Sequence, residues 1–315
     1  MGEQAIEIRD LRVDYGDFVA VKDISLSIPY GVVYGLVGPN GAGKTSTFRV
    51  LTTLMEPTYG EVKVAGYDIF EKAEEAREVI GYMPDLAPVP SDLKLWEFLE
   101  FHAQTHRLGG RRWRRERVEE CLATVKLTDK RNAWCKELSR GQTQRLVLAK
   151  TLLHSPKVLI LDEPASGLDP LSRRELRFTL QALAKEGTSV LVSSHILSEL
   201  AEMCSSICVM NQGDLLASGT VDEVRKTLGR AERKLTAVTF GKPELVAVWL
   251  EKQSGVGEVS MDGERVGFQF VGGDEEQEKL LRGLVNQELG VRSFEEENSS
   301  FEDILVEVAE GNRES

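Results

Sequence analysis

The sequence predicts an α/β protein built on a parallel sheet, with a helical subdomain inserted into that core and a small α+β domain appended. Three patterns carry this expectation. A short apolar, β-branched run over residues 32–37 stops at Gly38 and gives way to a helix after Gly43. The same alternation of strand and helix resumes over residues 158–193. Between these stretches, residues 93–150 follow a helical period, and beyond residue 234 the order becomes strand, helix, strand, strand, helix, strand.

Taken in order, the first strands are expected at 6–13 and 19–28, around a turn at Tyr15-Gly16-Asp17. The strand at 32–37, a glycine-rich loop and a helix follow, then a strand at 60–65. A short helix over 71–81 leads into Gly81-Tyr82-Met83-Pro84. In the helical segment Leu95, Phe98, Leu99 and His102 share one face, as do Val118, Cys121, Leu122 and Val125. The core then returns with a strand at 158–161, a helix at 172–185, a strand at 189–193, a helix at 197–203 and a β-ribbon at 207–218. A charged stretch at 225–234 reads as a linker. It sets domains of 1–228, with the helical subdomain at about 86–150, and 229–315. In the second domain, strands are expected at 234–240, 258–261, 265–270 and 291–296, and helices at 243–253 and 274–289. Asp262-Gly263 supplies a hairpin turn, because Val266, Phe268 and Phe270 alternate with Arg265, Gly267 and Gln269. A last helix is expected over 301–308, capped by Ser299 or Ser300. Nothing in this domain reads as catalytic.

The chemistry starts in the glycine-rich loop. Gly38, Pro39, Asn40, Gly41, Ala42, Gly43, Lys44 and Thr45 fill the pattern G-x-x-x-x-G-K-[ST], followed by Ser46. Its glycines let successive N–H groups converge on phosphate oxygens, and the helix that follows adds its positive dipole end. Lys44 suits the β- and γ-phosphates, and the Thr45 hydroxyl suits Mg²⁺. This is a nucleotide site. Such a site calls for a carboxylate pair, and the apolar strand at 158–161 ends in Asp162-Glu163. Asp162 is the candidate Mg²⁺ holder, and Glu163 the base that polarises the attacking water. Leu138-Ser139-Arg140-Gly141-Gln142 opens a long helix and offers a second anion-binding N-terminus.

Composition narrows the remaining classes. The 315 residues are 41% hydrophobic and 29% charged, ordinary for a soluble globular protein. The net charge of −12 argues against nucleic acid as a partner. No apolar run is long enough to span a bilayer, and the first ten residues lack the apolar core of a secretion signal, so a cytoplasmic protein is expected. The four cysteines read as packing residues, Cys204 and Cys208 four apart on one helix. His102 and His106 stand at i,i+4 with no third ligand nearby, which reads as a solvated pair. Arg111-Arg112-Trp113-Arg114-Arg115 reads as a solvated helix start, with a surface for acidic lipid or a partner as the alternative.

Together these motifs resemble the ATP-binding-cassette (ABC) ATPases over residues 6–222, with every landmark in family order. The resemblance implies a P-loop nucleotide-binding cassette with an inserted helical subdomain, followed here by a small α+β ferredoxin-like domain. Tyr15 is similar to the residue that stacks on adenine, Ser139 to Gln142 to the signature, and Ser166-Gly167-Leu168-Asp169 to the loop that communicates across a dimer. Ser194-His195 is similar to the switch histidine that touches the γ-phosphate. One position departs from the family: Asp85 stands where a glutamine that helps ligate Mg²⁺ is usual. What the resemblance implies is an ATPase that binds ATP and Mg²⁺ and pairs head to tail with a second copy. Each ATP would lie between Lys44 of one copy and Ser139 and Gly141 of the other. A separate membrane permease, of the drug, antibiotic or sodium exporter type, would be the further partner, with the chain peripheral on the inner face of the membrane. The alternative is a soluble ABC-type ATPase or an ATP-dependent switch without a membrane partner.

Overall fold

The computed structural model describes residues 4–106, 108–228 and 233–296, and the chain divides into two units between Val221 and Asp222. The first unit opens with a long hairpin, β1 (Gln4–Tyr15) and β2 (Phe18–Pro29), closed by Gly16 and Asp17. β3 (Val33–Val37) is buried along its whole length, as the strand of a parallel sheet must be. It delivers the chain through the glycine-rich loop into α1 (Lys44–Leu51), and β4 (Tyr59–Val64) and β5 (Tyr67–Asp68) follow. β5, β4, β1 and β2 form an antiparallel sheet in the order β2-β1-β4-β5. α2 (Ala73–Val79) runs directly into β6 (Ile80–Met83).

The insert consists of α3 (Leu95–Thr105), α4 (Arg111–Thr124) and α5 (Arg140–Leu152). The first two bury the faces that their periodicity marks: Leu95, Phe98 and Leu99 on α3, and Val118, Cys121 and Leu122 on α4. The chain returns as β7 (Val158–Leu161), α6 (Pro170–Lys185), β8 (Ser189–Ser194), α7 (Leu197–Met203), β9 (Ser206–Asn211) and β10 (Asp214–Gly219). The second sheet runs β10-β9-β3-β8-β7-β6, parallel from β9 to β6, with β10 added as an antiparallel hairpin. Both sheets share one core. Phe48 and Leu51 of α1 are packed with Ile6, Val13 and Val62 from one sheet and with Leu36, Ile160 and Leu191 from the other. Burying such side chains is worth roughly 1.5–3 kcal/mol each. The loop that carries the lysine is therefore held at both ends by packed elements.

The second unit carries α8 (Val221–Leu228) across its boundary, then β11 (Arg233–Thr239), α9 (Pro243–Leu250), β12 (Val256–Asp262), β13 (Arg265–Phe270), α10 (Asp274–Asn286) and β14 (Val291–Glu296). Its antiparallel sheet has the order β12-β13-β11-β14, which is the split β-α-β arrangement of a ferredoxin-like domain. Val266, Phe268 and Phe270 turn inward onto Val246, Leu250, Leu280 and Leu284 of the two helices. Gly283 lets those helices approach: a Cβ there would lie 2.6 Å from the Trp249 ring.

Several expectations need correction. The helix expected over 71–81 ends at Val79, and residues 80–83 form β6, a strand of the parallel sheet. Cys204 closes α7 while Cys208 lies in β9, so they do not share a helix, although all four cysteines are free and buried. The hairpin turn sits one residue later than expected, at Gly263 and Glu264, because Asp262 pairs with Arg265. The solvated pair holds only in part: His106 is exposed but its ring stacks on His154 with centroids 4.6 Å apart, while His102 is half-buried against Phe98 and Phe101. The helix expected over 301–308 lies outside the described residues.

Candidate nucleotide-binding site

The loop after β3 is shaped by two glycines that admit no side chain. A Cβ on Gly38 would stand 2.2 Å from the Met210 carbonyl oxygen, and one on Gly43 would stand 2.5 Å from that of Ala20. Gly43 also holds φ +105°, in the left-handed region, immediately before the first residue of α1. The helix N-terminus and its unpaired N–H groups thus open onto the loop. Lys44 is only 6% exposed. Its Nζ donates to the Gly38 and Pro39 carbonyls at 2.6 and 3.1 Å and lies 3.7 Å from Glu163 Oε1. Burial pushes the Lys44 ammonium pKa down, while Glu163 and Asp162 pull it back up.

The carboxylates come from the end of β7. Asp162 is 4% exposed, its Oδ2 accepting from the Thr45 hydroxyl at 3.1 Å and its Oδ1 from the Ser193 hydroxyl at 2.6 Å. Ser193 in turn accepts from the Glu163 N–H at 2.9 Å, so one serine on β8 orients both acidic residues. Glu163 adopts φ +49°, which turns its side chain back over the loop. There its carboxylate bridges Lys44 and His195, with Oε2 2.9 Å from His195 Nδ1. Asn40 to Ser46, Asp85, Asp162, Glu163 and Phe18 line a cleft of about 250 Å³. The Asp85 carboxyl titrates above its ordinary range, through burial first and then the charges of Asp162 and Glu163.

Other expected site residues lie outside this cleft. Ser139 caps α5 and accepts from the Gln142 N–H at 3.3 Å, while the Gln142 side chain accepts from the Ser139 N–H at 3.1 Å. Gly141 packs against the start of α6, where a Cβ would be 2.3 Å from the Ser172 hydroxyl oxygen. Asp169 caps that helix, accepting from the Ser172 N–H at 3.0 Å and from its hydroxyl at 2.6 Å. These bonds to Ser172 hold the Asp169 carboxyl below the usual range. The Tyr15 hydroxyl stands 3.3 Å from Ser46 Oγ and donates to Met55 Sδ. Phe18, at the other side of the same turn, is the aromatic residue that lines the cleft, 63% exposed. Ser193 and Phe18 escaped the sequence reading. An exposed aromatic beside a turn is a signal for Phe18, whereas nothing local marks Ser193.

The donors facing the cleft are hard oxygens: the Thr45 hydroxyl and the carboxylates of Asp85 and Asp162. Such a set suits Mg²⁺, which takes one or two protein oxygens and completes its shell from phosphate and water. Burial, and after it the charges of Asp162 and Glu163, raise the Asp85 carboxyl, and a cation would relieve the repulsion among the three. Among the described residues, no cluster of three or more His, Cys, Asp or Glu side chains forms a self-sufficient metal cage.

Comparison with known proteins places the chain among its relatives. The model of the family described as ABC transporter matches residues 21–166. A second, described as ATP-binding protein DrrA1-3-like, C-terminal domain, matches residues 219–309. The probable multidrug ABC transporter ATP-binding protein YbhF of Escherichia coli (strain K12) is 34% identical over 253 residues, covering 80% of this chain. The chain spans 43% of the length of YbhF. The daunorubicin resistance ATP-binding protein DrrA3 of Streptomyces coeruleorubidus is 37% identical over 229 residues, covering 73% of this chain and 72% of that protein. Among solved structures, the dimeric structure of MJ0796, a bacterial ABC transporter cassette, superposes with a TM-score of 0.62 at 25% identity. It covers 69% of this chain and 98% of that one.

Proposed function

The chain belongs to the family of ABC transporter ATP-binding proteins, and on that premise we propose that it binds and hydrolyses ATP to power an exporter. The observation that carries the reading is the placement of Glu163, whose carboxylate is held between Lys44 and His195 at the edge of the phosphate loop. A base so placed is poised to take a proton from a water beside the γ-phosphate. The loop N–H groups and Lys44 would bind the phosphates, and Tyr15 would stack on adenine with Phe18 beside it. Thr45, Asp162 and Asp85 would hold Mg²⁺, which when bound supplies positive charge against the phosphate oxygens. His195 would donate a hydrogen bond to the γ-phosphate and keep Glu163 aimed.

Ser139, Gly141 and Gln142 would meet ATP bound by a second copy, with Asp169 at the same interface. Their absence from the chain's own cleft and the dimeric state of the MJ0796 cassette support this reading. The membrane path would come from separate permease subunits, with this chain cytoplasmic and peripheral on the inner face of the membrane. Among the described residues no helix is long and apolar enough to cross a bilayer. Relatives named for multidrug and daunorubicin resistance support export as the direction.

Phosphate release by the purified protein tests the reading. Glu163→Gln is expected to bind ATP as tightly as the parent and to lower turnover by about 10²–10⁴-fold, the range of general-base catalysis. Unchanged turnover in that variant would remove Glu163 from the chemistry.

A further inference from the structure

Ser194, the last residue of β8, joins the phosphate loop to α7. Its carbonyl accepts from the N–H of Gly38, the first residue of the phosphate loop, at 3.3 Å. Its hydroxyl accepts from the Ile196 N–H at 3.0 Å and donates to Glu199 Oε2 at 3.3 Å. Glu199 lies in the first turn of α7 and is 8% exposed. Its other oxygen, Oε1, is 3.2 Å from Arg173 Nε on α6. That contact is an ion pair without a hydrogen bond, whereas the Arg173 guanidinium donates through Nη2 to the Leu168 carbonyl at 3.2 Å, one residue before Asp169.

Neither end of this chain of contacts is what core packing alone would select. A carboxylate this buried is costly unless it is paired and hydrogen-bonded. Burial indeed pushes the Glu199 carboxyl up, and Arg173, Ser194 and His195 pull it back. An arginine in the first turn of α6 is opposed by the helix dipole. Both placements become intelligible if the contacts set the geometry of the residue between them, since His195 directly follows Ser194 and holds Glu163.

We propose that Arg173 and Glu199 are positioning residues. The Arg173–Glu199–Ser194 chain fixes the His195–Glu163 pair in register with the phosphate loop and ties it to the loop 166–169. The inference rests on the ATP-hydrolysis reading given above. Neither side chain lines the nucleotide cleft, so their loss falls on turnover and leaves binding intact.

The test measures ATP turnover and nucleotide affinity side by side for the parent, Arg173→Gln, Arg173→Lys, Glu199→Gln and the double variant Arg173→Gln/Glu199→Gln. Small misplacements of a catalytic pair cost up to about 10²-fold. Each Gln variant is therefore expected to lose about tenfold or more in kcat, with KM and nucleotide Kd unchanged. Arg173→Lys recovers most of the rate. The double variant is no slower than the slower single, because residues acting through one contact are not additive. Parental kcat in both Gln variants, losses that multiply in the double, or a loss confined to KM would overturn the proposal. The Arg173 side chain is 40% exposed, so its variants carry the test even where Glu199→Gln folds poorly. A parent protein that binds ATP but releases no phosphate would instead overturn the ATPase reading, and this inference with it.

Discussion

Asp85 shows how a single substitution at the residue scale redistributes charge. It brings a third carboxylate to a cleft that already holds Asp162 and Glu163, with Arg140 and His195 only partly offsetting the repulsion. A carboxyl whose folded pKa lies above its unfolded value opposes folding when ionised, and the opposition fades as pH falls through the folded pKa. Asp85→Asn is therefore expected to raise the melting temperature of the nucleotide-free protein at pH 7, and to lose that advantage on acidification. Superimposable melting curves at every pH would contradict this account of Asp85. The site was legible where its chemistry is written in contiguous residues: the loop from Gly38 to Thr45, the Asp162-Glu163 pair and the Ser139 cap. Ser193 was not, because a serine inside an apolar strand says nothing about which side chains will face it from β7.

At the scale of elements, the join between the helical insert and the parallel sheet carries the protein's densest cluster of histidines. His106, which closes α3 one turn after His102, stacks on His154 just beyond α5, and His154 Nε2 lies 2.8 Å from the Ile80 carbonyl at the start of β6. All three titrate low. Burial is the first cause in each case, pushing His102 down to about 4; Lys150 adds to it for His102 and His106, and His106 and Arg117 for His154. Bases depressed in this way contribute stability above the ordinary histidine value near 6.5, and that stability is lost as pH falls toward the folded values. Thermal melts at pH 7.5 and pH 5 are expected to show this loss, and His106→Phe, which keeps a ring against His154, should reduce it. Equal losses in parent and variant would refute the assignment. Sequence periodicity placed His102 and His106 on one helix, but only the fold brings His154 to His106 from 48 residues away. β6 was missed for a related reason, since four residues are too few to show a period of their own.

At the scale of the whole molecule, the chain's two units divide between Val221 and Asp222, and we propose a functional boundary at residues 228 and 229. A protein ending at residue 228 is expected to bind ATP with parental affinity, measured by titration with a fluorescent nucleotide. Loss of binding would place part of the nucleotide site in the second unit. The architecture was readable from apolar runs for the buried parallel strands, from alternation in strands such as β13, and from period 3.6 along the helices, and the β-α-β-β-α-β order of the second unit admits few topologies. The proposed site is completed only by a second copy. Ser139 and Gly141 stand at the start of α5, outside the cleft that holds Lys44 and Glu163. The account therefore requires a second copy. The most direct measurement is the mass in solution of Glu163→Gln at saturating Mg-ATP, by light scattering on a sizing column. The account predicts a stable dimer retaining one ATP per chain, absent with ADP; a monomer at saturating ATP would contradict it.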